Sequence, residues 1–344
     1  MRKSIGLALA LVVLAALQAE ASDPGVSVLC YHHFEDRPLQ GFSVKPADFE
    51  AQMAQLASGG FHVIRLSEAV ERFEGKNPAP FPEKAVVLTI DDGYRCAYER
   101  ALPVMRKYKF PATLFVYPGY VGAKGDKCSW EEYKQLEAEG LFDVQCHSYT
   151  HPNFAQMARK LPAPKYETEM HREIFTSKKT LEEKLSKKIQ FLAYPFGIYD
   201  EQIRDWALAA GYRSMFSVNG AANSPKTKAQ SVSRTMVMAG DSLKAFTRKA
   251  AGLPLDLEIV SPRDGQILEN GPYRVVANIA DPDVKVETVR GVSAGCAGKI
   301  DVKSRRLELS STRGLKPGVH IVTVTASDKS GRGTRMATWL FRSK

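Results

Sequence analysis

The stretch Ala85-Val86-Val87-Leu88-Thr89-Ile90-Asp91-Asp92-Gly93-Tyr94 constrains this chain more than any other. Its apolar, β-branched run reads as a buried strand. Two adjacent carboxylates, Asp91 and Asp92, stand at its end. Like charges that close together drive their pKa values apart unless a cation neutralises one of them. Neighbouring side chains on an extended backbone also point in different directions. One Asp can therefore hold a metal while the other stays free as a base. Gly93 lets the chain turn sharply behind them. Taken alone, Asp-Asp-Gly is equally a strand end followed by a turn or a helix cap.

A second stretch shifts that balance. His147-Ser148-Tyr149-Thr150-His151 follows the short apolar run Phe142-Asp143-Val144. His-x3-His can bring two imidazoles to one metal from a helix face or a tight loop. Pro152 disfavours helix at the residue before it, so the spacing predicts a loop. A lone His-x3-His is as often structural. With one Asp it makes a three-donor set that leaves positions open for water and substrate, as a catalytic metal requires. A third stretch, Ala193-Tyr194-Pro195-Phe196-Gly197, reads by itself as a turn.

In this order the three stretches resemble the polysaccharide deacetylases, the NodB-homology enzymes of carbohydrate esterase family 4, over roughly residues 24–252. Tyr31-His32-His33 and the Ala-Tyr-Pro-Phe-Gly form are similar to the branch that includes bacterial deacetylases of poly-β-1,6-N-acetylglucosamine. The resemblance implies a distorted (β/α)7 barrel and removal of N-acetyl groups from an exported N-acetylglucosamine-containing polysaccharide. It implies a divalent metal ion, usually Zn²⁺, on Asp92, His147 and His151, with Asp91 as general base. It makes Tyr194, Pro195, Phe196 and Gly197 the oxyanion and substrate-binding turn, with the Phe196 N–H facing the oxyanion. Most of the family supplies the general acid from a late Leu-x-His, and here no His lies between His171 and His320. Leu192-Ala193 also stand where the family usually has an Arg. Both departures fit the exopolysaccharide branch, whose acid is the His of the N-terminal Tyr-His strand, here His32. The branch motif, Tyr followed directly by His, selects His32 and assigns His33 no catalytic role; successive strand side chains face opposite ways, so the two are not expected at one metal. The family's Asp and Arg that tune acid and base have no clear match, and Arg234 is no more than a guess. Two other readings stand beside this one. They are a catalytically silent carbohydrate-binding protein on the same fold, and a deacetylase of peptidoglycan or O-acetyl esters.

The N-terminus has a basic start, Met1-Arg2-Lys3, an apolar run from Leu7 to Leu17 and a small-x-small site at Ala19-Glu20-Ala21. This predicts a signal peptide over 1–21 and an exported protein, periplasmic or secreted, with no stable membrane span after cleavage. An uncleaved anchor is the alternative. Five cysteines are an odd number for such a protein, so at least one is free or pairs between chains. Cys30 and Cys146 adjoin the expected site histidines, either as reduced core residues or as a disulfide. The net charge of +10 is not gathered into a basic block with aromatics, so no nucleic-acid partner is expected. The expected partner is the polysaccharide substrate, and the oligomeric state is left open.

Strand and helix signals alternate through residues 22–252, the expected catalytic domain. Strands are predicted at 26–31, 61–64, 112–116 and 189–193. Helices are predicted at 46–58, 66–73, 98–108, 165–185 and 200–210, with a capping box from Ser129 to Glu132. Past Leu253-Pro254 the texture changes to short β-rich runs punctuated by Gly, Pro, Asn and Asp. Residues 255–344 are expected to form a small immunoglobulin-like β-sandwich. It is expected to be an accessory domain with no part in the chemistry.

Overall fold

The computed structural model of the protein describes residues 24–122, 126–311 and 313–344; the expected signal peptide, 1–21, lies outside the described residues. Seven strands form one curled, all-parallel sheet. Their order is Thr235–Met236, Val26–Tyr31, Ala85–Asp91, Ala112–Val116, Phe142–Cys146, Phe191–Ala193 and Ser214–Phe216. An eighth, His62–Val63, adds to the Ala85–Asp91 strand. The segment 229–232 bridges the open side: Met215 N–H donates to Ala229 O, and Ser217 N–H to Val232 O, both at 2.9 Å. The result is the curled parallel α/β architecture expected for the distorted barrel.

Alternation along the strands sorts the side chains into two layers. In the Ala85–Asp91 strand, Val86, Leu88 and Ile90 join the core beneath the helices. Val87 turns the other way, into a cluster with Val28, Phe115, Phe191 and Phe216. Helix Leu66–Phe73 adds Leu66, Ala69, Val70 and Phe73 to that inner cluster. Asp91 has the parity of Val87, which sends a carboxylate into the interior at the carboxyl end of a strand.

Helices Pro46–Ser58 and Leu66–Phe73 have the predicted bounds. Ser129 and Glu132 form both bonds of the capping box. Two longer predictions change in character. The helix expected over 98–108 is a wide π turn, Ala97–Ala101, running into Leu102–Tyr108. Pro103 has no N–H to continue the ordinary ladder, and Leu102 N–H reaches back to Ala97 O instead. The helix expected over 165–185 contains a π segment, Arg172–Thr176, between Ala163–His171 and Ser177–Leu185. The strands Ser214–Phe216 and Thr235–Met236 were not predicted. Three and two residues carry no alternation to read.

From Leu253 onward the chain forms two facing sheets. One has the order Leu253–Pro254, Thr334–Ser343, Gly318–Asp328 and Val284–Val292; the other has Leu257–Ser261, Arg274–Ile279, Arg306–Ser311 and Cys296–Asp301. Val275, Ala277, Leu307, Leu309, Val322, Val324, Trp339 and Phe341 fill the space between them. This β-rich unit packs on the parallel-sheet unit, and its Leu340 belongs to the larger core. Among the described residues no helix is long and apolar enough to cross a membrane. All five cysteines are free thiols, so the Cys30–Cys146 disulfide alternative does not occur.

Arg335 is 3% exposed and lies between two buried carboxylates, donating to Asp328 at 2.7 Å and to Asp281 at 3.1 Å. Burial alone would raise the Asp328 pKa, but Ser330, Arg335 and Arg332 hold it well below the usual carboxylate range. Arg335→Ala leaves both acids without this cation and is expected to cost about 3–5 kcal/mol in urea unfolding. A folded-state pKa held low gives stability that is present above the unfolded pKa and lost as pH falls. The deficit of the variant should therefore narrow below about pH 4. A loss under about 1 kcal/mol at pH 7 would show the cluster to be solvated.

Candidate active site

The interior carboxylate is matched by one cation. Arg234 is fully buried, and its two terminal nitrogens donate to Asp91 Oδ1 at 2.6 Å and Oδ2 at 2.7 Å. Its Nε donates to Ser217 O at 3.1 Å, one terminal nitrogen also reaches Thr89 Oγ1 at 3.2 Å, and the guanidinium lies over the Phe115 ring. Burial by itself would push the Asp91 pKa up. The Arg234 charge, with His147 and His32 beside it, instead holds it well below the carboxylate range. Asp91 is an anion fixed at both oxygens. The residue that was only a guess in the sequence is its partner, brought there across 143 positions of chain.

Asp92 leaves the strand. Its φ of 72° and that of Gly93, 66°, are both left-handed. A side chain at Gly93 would meet the Tyr133 hydroxyl at 2.2 Å, so only glycine fits this turn. The turn carries the Asp92 carboxylate away from Asp91 toward the 147–151 loop. Asp92 Oδ1 lies 3.7 Å from His147 Nε2 and 3.6 Å from His151 Nε2. His147 Nδ1 is 2.8 Å from Ala193 O, which fixes the proton there and leaves the Nε2 lone pair facing the carboxylate. Burial lowers the His147 pKa to about 3 and lowers that of His151, keeping both imidazoles neutral. Burial also raises the Asp92 pKa, and Asp92 Oδ1 is buried with no hydrogen-bond partner. Three donor atoms within 4.8 Å of one another, two of them neutral and one an orphaned carboxylate oxygen, fit a divalent cation.

The loop that carries the histidines is itself strained. Ser148 at φ 66° and His151 at φ 60° are both left-handed, a cost of order 1–3 kcal/mol each. Glu173 holds it. One carboxylate oxygen accepts from Tyr149 N–H and Thr150 N–H at 2.8 Å each, and the other from the Thr150 hydroxyl at 2.6 Å. Glu173 sits in the π segment, 2% exposed. Sequence reading missed it, because a Glu on a charged helix looks like a solvated face. No sequence signal marks it, because the widened turn that aims it reads in sequence as continuous helix, although such bulges gather at functional sites.

The other expected residues fall around this centre. His32 Nε2 is 3.9 Å from Asp91 Oδ2; burial lowers the His32 pKa, against the opposing pull of the Asp91 carboxylate. His33 points elsewhere, pairing with Glu35 at 3.1 Å and stacking edge-on to Tyr94. Beneath them the buried Cys30 thiol lies 3.4 Å from Asp91 Oδ2. Phe196, at φ 57°, is exposed at the rim with its ring 4.7 Å from that of His151. The turn's own bonds run from Gly197 N–H to Tyr194 O and from Ile198 N–H to Pro195 O, and leave the Phe196 N–H outside them. Tyr194 and Pro195 are buried, so the expected substrate-binding role of this turn falls to its backbone and to Phe196; the Tyr194 ring faces the core. Two unpredicted neighbours complete the mouth. Lys127 Nζ lies 3.2 Å above the Tyr94 ring and donates to Asp92 O, and the Tyr117 ring stands 5.4 Å from that of His151.

A family profile described as polysaccharide deacetylase matches residues 79–215, which include Asp91, Asp92, His147, His151 and the 194–197 turn but not His32 or Arg234. The poly-β-1,6-N-acetyl-D-glucosamine N-deacetylase of Staphylococcus aureus is 26% identical over 211 residues, 60% of this chain and 72% of that protein. The structure of IcaB from Ammonifex degensii is 29% identical, with a TM-score of 0.59, covering 67% of this chain and 99% of that one. A polysaccharide deacetylase structure from Bacillus cereus is 25% identical, with a TM-score of 0.54, over 66% of this chain and 69% of that one.

The geometry separates the two aspartates. Asp92→Ala is expected to lose bound divalent metal, and Asp91→Asn to keep it while losing turnover. Glu173→Ala should keep the ligands but weaken ion affinity about 10–100-fold. Elemental analysis and calorimetric titration with Zn²⁺ check all three. Metal retained in Asp92→Ala, or lost in Asp91→Asn, would reverse the assignment.

Proposed function

The parallel-sheet unit is a polysaccharide deacetylase domain of the NodB type, an N-deacetylase of carbohydrate esterase family 4, and from this premise we propose its substrate and the roles of its residues. The substrate is an exported polymer containing N-acetylglucosamine, of the poly-β-1,6-linked kind named for the Staphylococcus aureus relative. The observation that carries the reading is the pairing of two environments at adjacent residues. Asp91 is locked to Arg234, and Asp92 is left open to two neutral histidines.

The resident ion, proposed to be Zn²⁺, would sit on Asp92, His147 and His151, polarising the acetamide carbonyl and acidifying a water. Asp91, anionic and oriented by Arg234, takes a proton from the attacking water. The low basicity of a carboxylate so paired would suit it to a water that a bound ion acidifies. The Phe196 N–H faces the acyl oxygen as negative charge develops there. His32, held near Asp91, gives a proton to the departing nitrogen as the C–N bond breaks. Water adds to the acyl carbon, and acetate and a free amine leave. The ring of Phe196 and the tyrosines of the mouth offer flat surfaces for sugar rings. Export rests on the N-terminal signal pattern.

A substrate panel tests the reading. Oligomers of β-1,6-linked N-acetylglucosamine should release acetate, and chitooligosaccharides, peptidoglycan and O-acetyl esters should be poorer substrates. Chelation should abolish the release, with Zn²⁺ or Co²⁺ restoring part of it. Full activity in a demonstrably metal-free preparation would sink the metal-dependent mechanism. A preference for peptidoglycan or O-acetyl esters would overturn the substrate.

The acid is tested separately. His32→Ala should lower turnover about 10²–10⁴-fold with metal content kept. His33→Ala should change turnover far less, because its ring is turned to Glu35 and Tyr94. A large effect at His33 with a small one at His32 would reverse the roles.

A further inference from the structure

The turn Tyr194-Pro195-Phe196-Gly197 has a conformation its own residues do not explain. Phe196 is left-handed at φ 57°, which is unfavourable for a bulky residue. Gly197 is also left-handed, and a side chain there would meet Val218 N at 2.6 Å. The Tyr194 ring behind the turn is fully buried, yet its hydroxyl has no hydrogen-bond partner. Packing alone sets its place. The packing partner is Tyr199, whose ring is stacked on it at 4.7 Å and 18°.

Tyr199 does have a polar anchor, and that anchor belongs to the β-rich unit. Its hydroxyl donates to Asp264 Oδ1 at 2.5 Å. The next two residues are held by the same unit. Arg342 pairs with Asp200, which caps helix Glu201–Ala209 by accepting from Ile203 N–H at 2.9 Å. Glu201 N–H donates to Gly265 O at 3.0 Å, and the Glu201 carboxylate meets Arg263. Gly265 N–H is fixed in turn on Leu340 O at 2.8 Å. Three consecutive residues, 199–201, are thus each gripped from residues 263–265 and 342.

We infer that the C-terminal β unit is a positioning element of the active site, holding the Phe196 turn in place through Asp264, Tyr199 and Tyr194. This goes beyond the accessory domain without chemistry of its own that the sequence predicts. It rests on the proposed role of the turn at the acyl oxygen. Asp264 and Tyr199 touch no reacting group; they set where the Phe196 N–H lies. Their loss should therefore appear in turnover and leave ground-state binding and metal uptake alone.

The experiment uses the full chain and short oligomers of β-1,6-linked N-acetylglucosamine. Tyr199→Phe keeps the stacked ring and removes the donor. Asp264→Ala removes the acceptor, and Asp264→Asn restores one. The first two should lower kcat roughly 10-fold, less than the about 10²–10³-fold cost of losing an oxyanion donor outright. KM and zinc content should stay the same, and Asp264→Asn should recover most of the turnover. Ser224→Ala breaks a different contact between the units, the 2.6 Å bond to Asp256, and should leave kcat unchanged. An equal loss of kcat in Ser224→Ala, or joint loss of zinc and of substrate binding in Tyr199→Phe, would overturn the inference in favour of general loosening. Gly197→Ala separates it from the underlying reading. A drop in kcat there with none at Tyr199 or Asp264 would leave the turn's role standing and refute its support from the β unit. No drop in any of the three would refute both.

Discussion

The paired hydrogen bonds from Arg234 to Asp91 are the interaction on which the site depends. A carboxylate in the interior of a parallel sheet is tolerated only when a fully bonded cation meets it. Arg234 meets both oxygens and also ties down Ser217 O and Thr89 Oγ1. One side chain thereby links the strand Ala85–Asp91 to the far, open side of the barrel. Removing either partner would leave an uncompensated buried charge. The pair also sets the two aspartates apart, and in the proposed mechanism it divides their labour, since an Asp91 bound at both oxygens is a poor metal ligand. Asp92 then has a buried oxygen with no protein partner and two histidines facing it.

Around that pair the backbone is held in unfavourable conformations wherever a functional group must be aimed. Asp92, Ser148, His151 and Phe196 are all left-handed without being glycine. Each is over-determined by something outside the site. The close approach of Tyr133 fixes the turn after Asp92, and Glu173 fixes the histidine loop with three hydrogen bonds. Behind Phe196 stand Tyr194 and Tyr199. These supports come from a π segment, from helices and from the β-rich unit. The rigidity of the site is therefore a property of the whole molecule.

Much of this was legible beforehand, and the reason is local. The bounds of helices 46–58 and 66–73 follow from periodicity and from what flanks them. Parity along one strand sends Asp91 inward, and Gly93 marks the turn that redirects Asp92. His-x3-His before a proline reads as a loop and is one. What failed locally was short or irregular. Two- and three-residue strands have no period to detect, and a π bulge leaves a sequence that looks like continuous helix.

The sequence by itself determined the chemical inventory. It set the adjacent carboxylates, the two histidines at loop spacing, the Tyr-His strand end and the alternation that makes a parallel sheet. These depend on neighbours within a few residues, where spacing dictates direction. Tertiary structure alone decided which distant groups complete them: Arg234 on Asp91, Glu173 under the histidine loop, Asp264 behind Tyr199. Each of these contacts spans between 23 and 143 positions of chain. No local pattern encodes them, because their partners meet only when the sheet curls, the helix bulges and the β-rich unit docks.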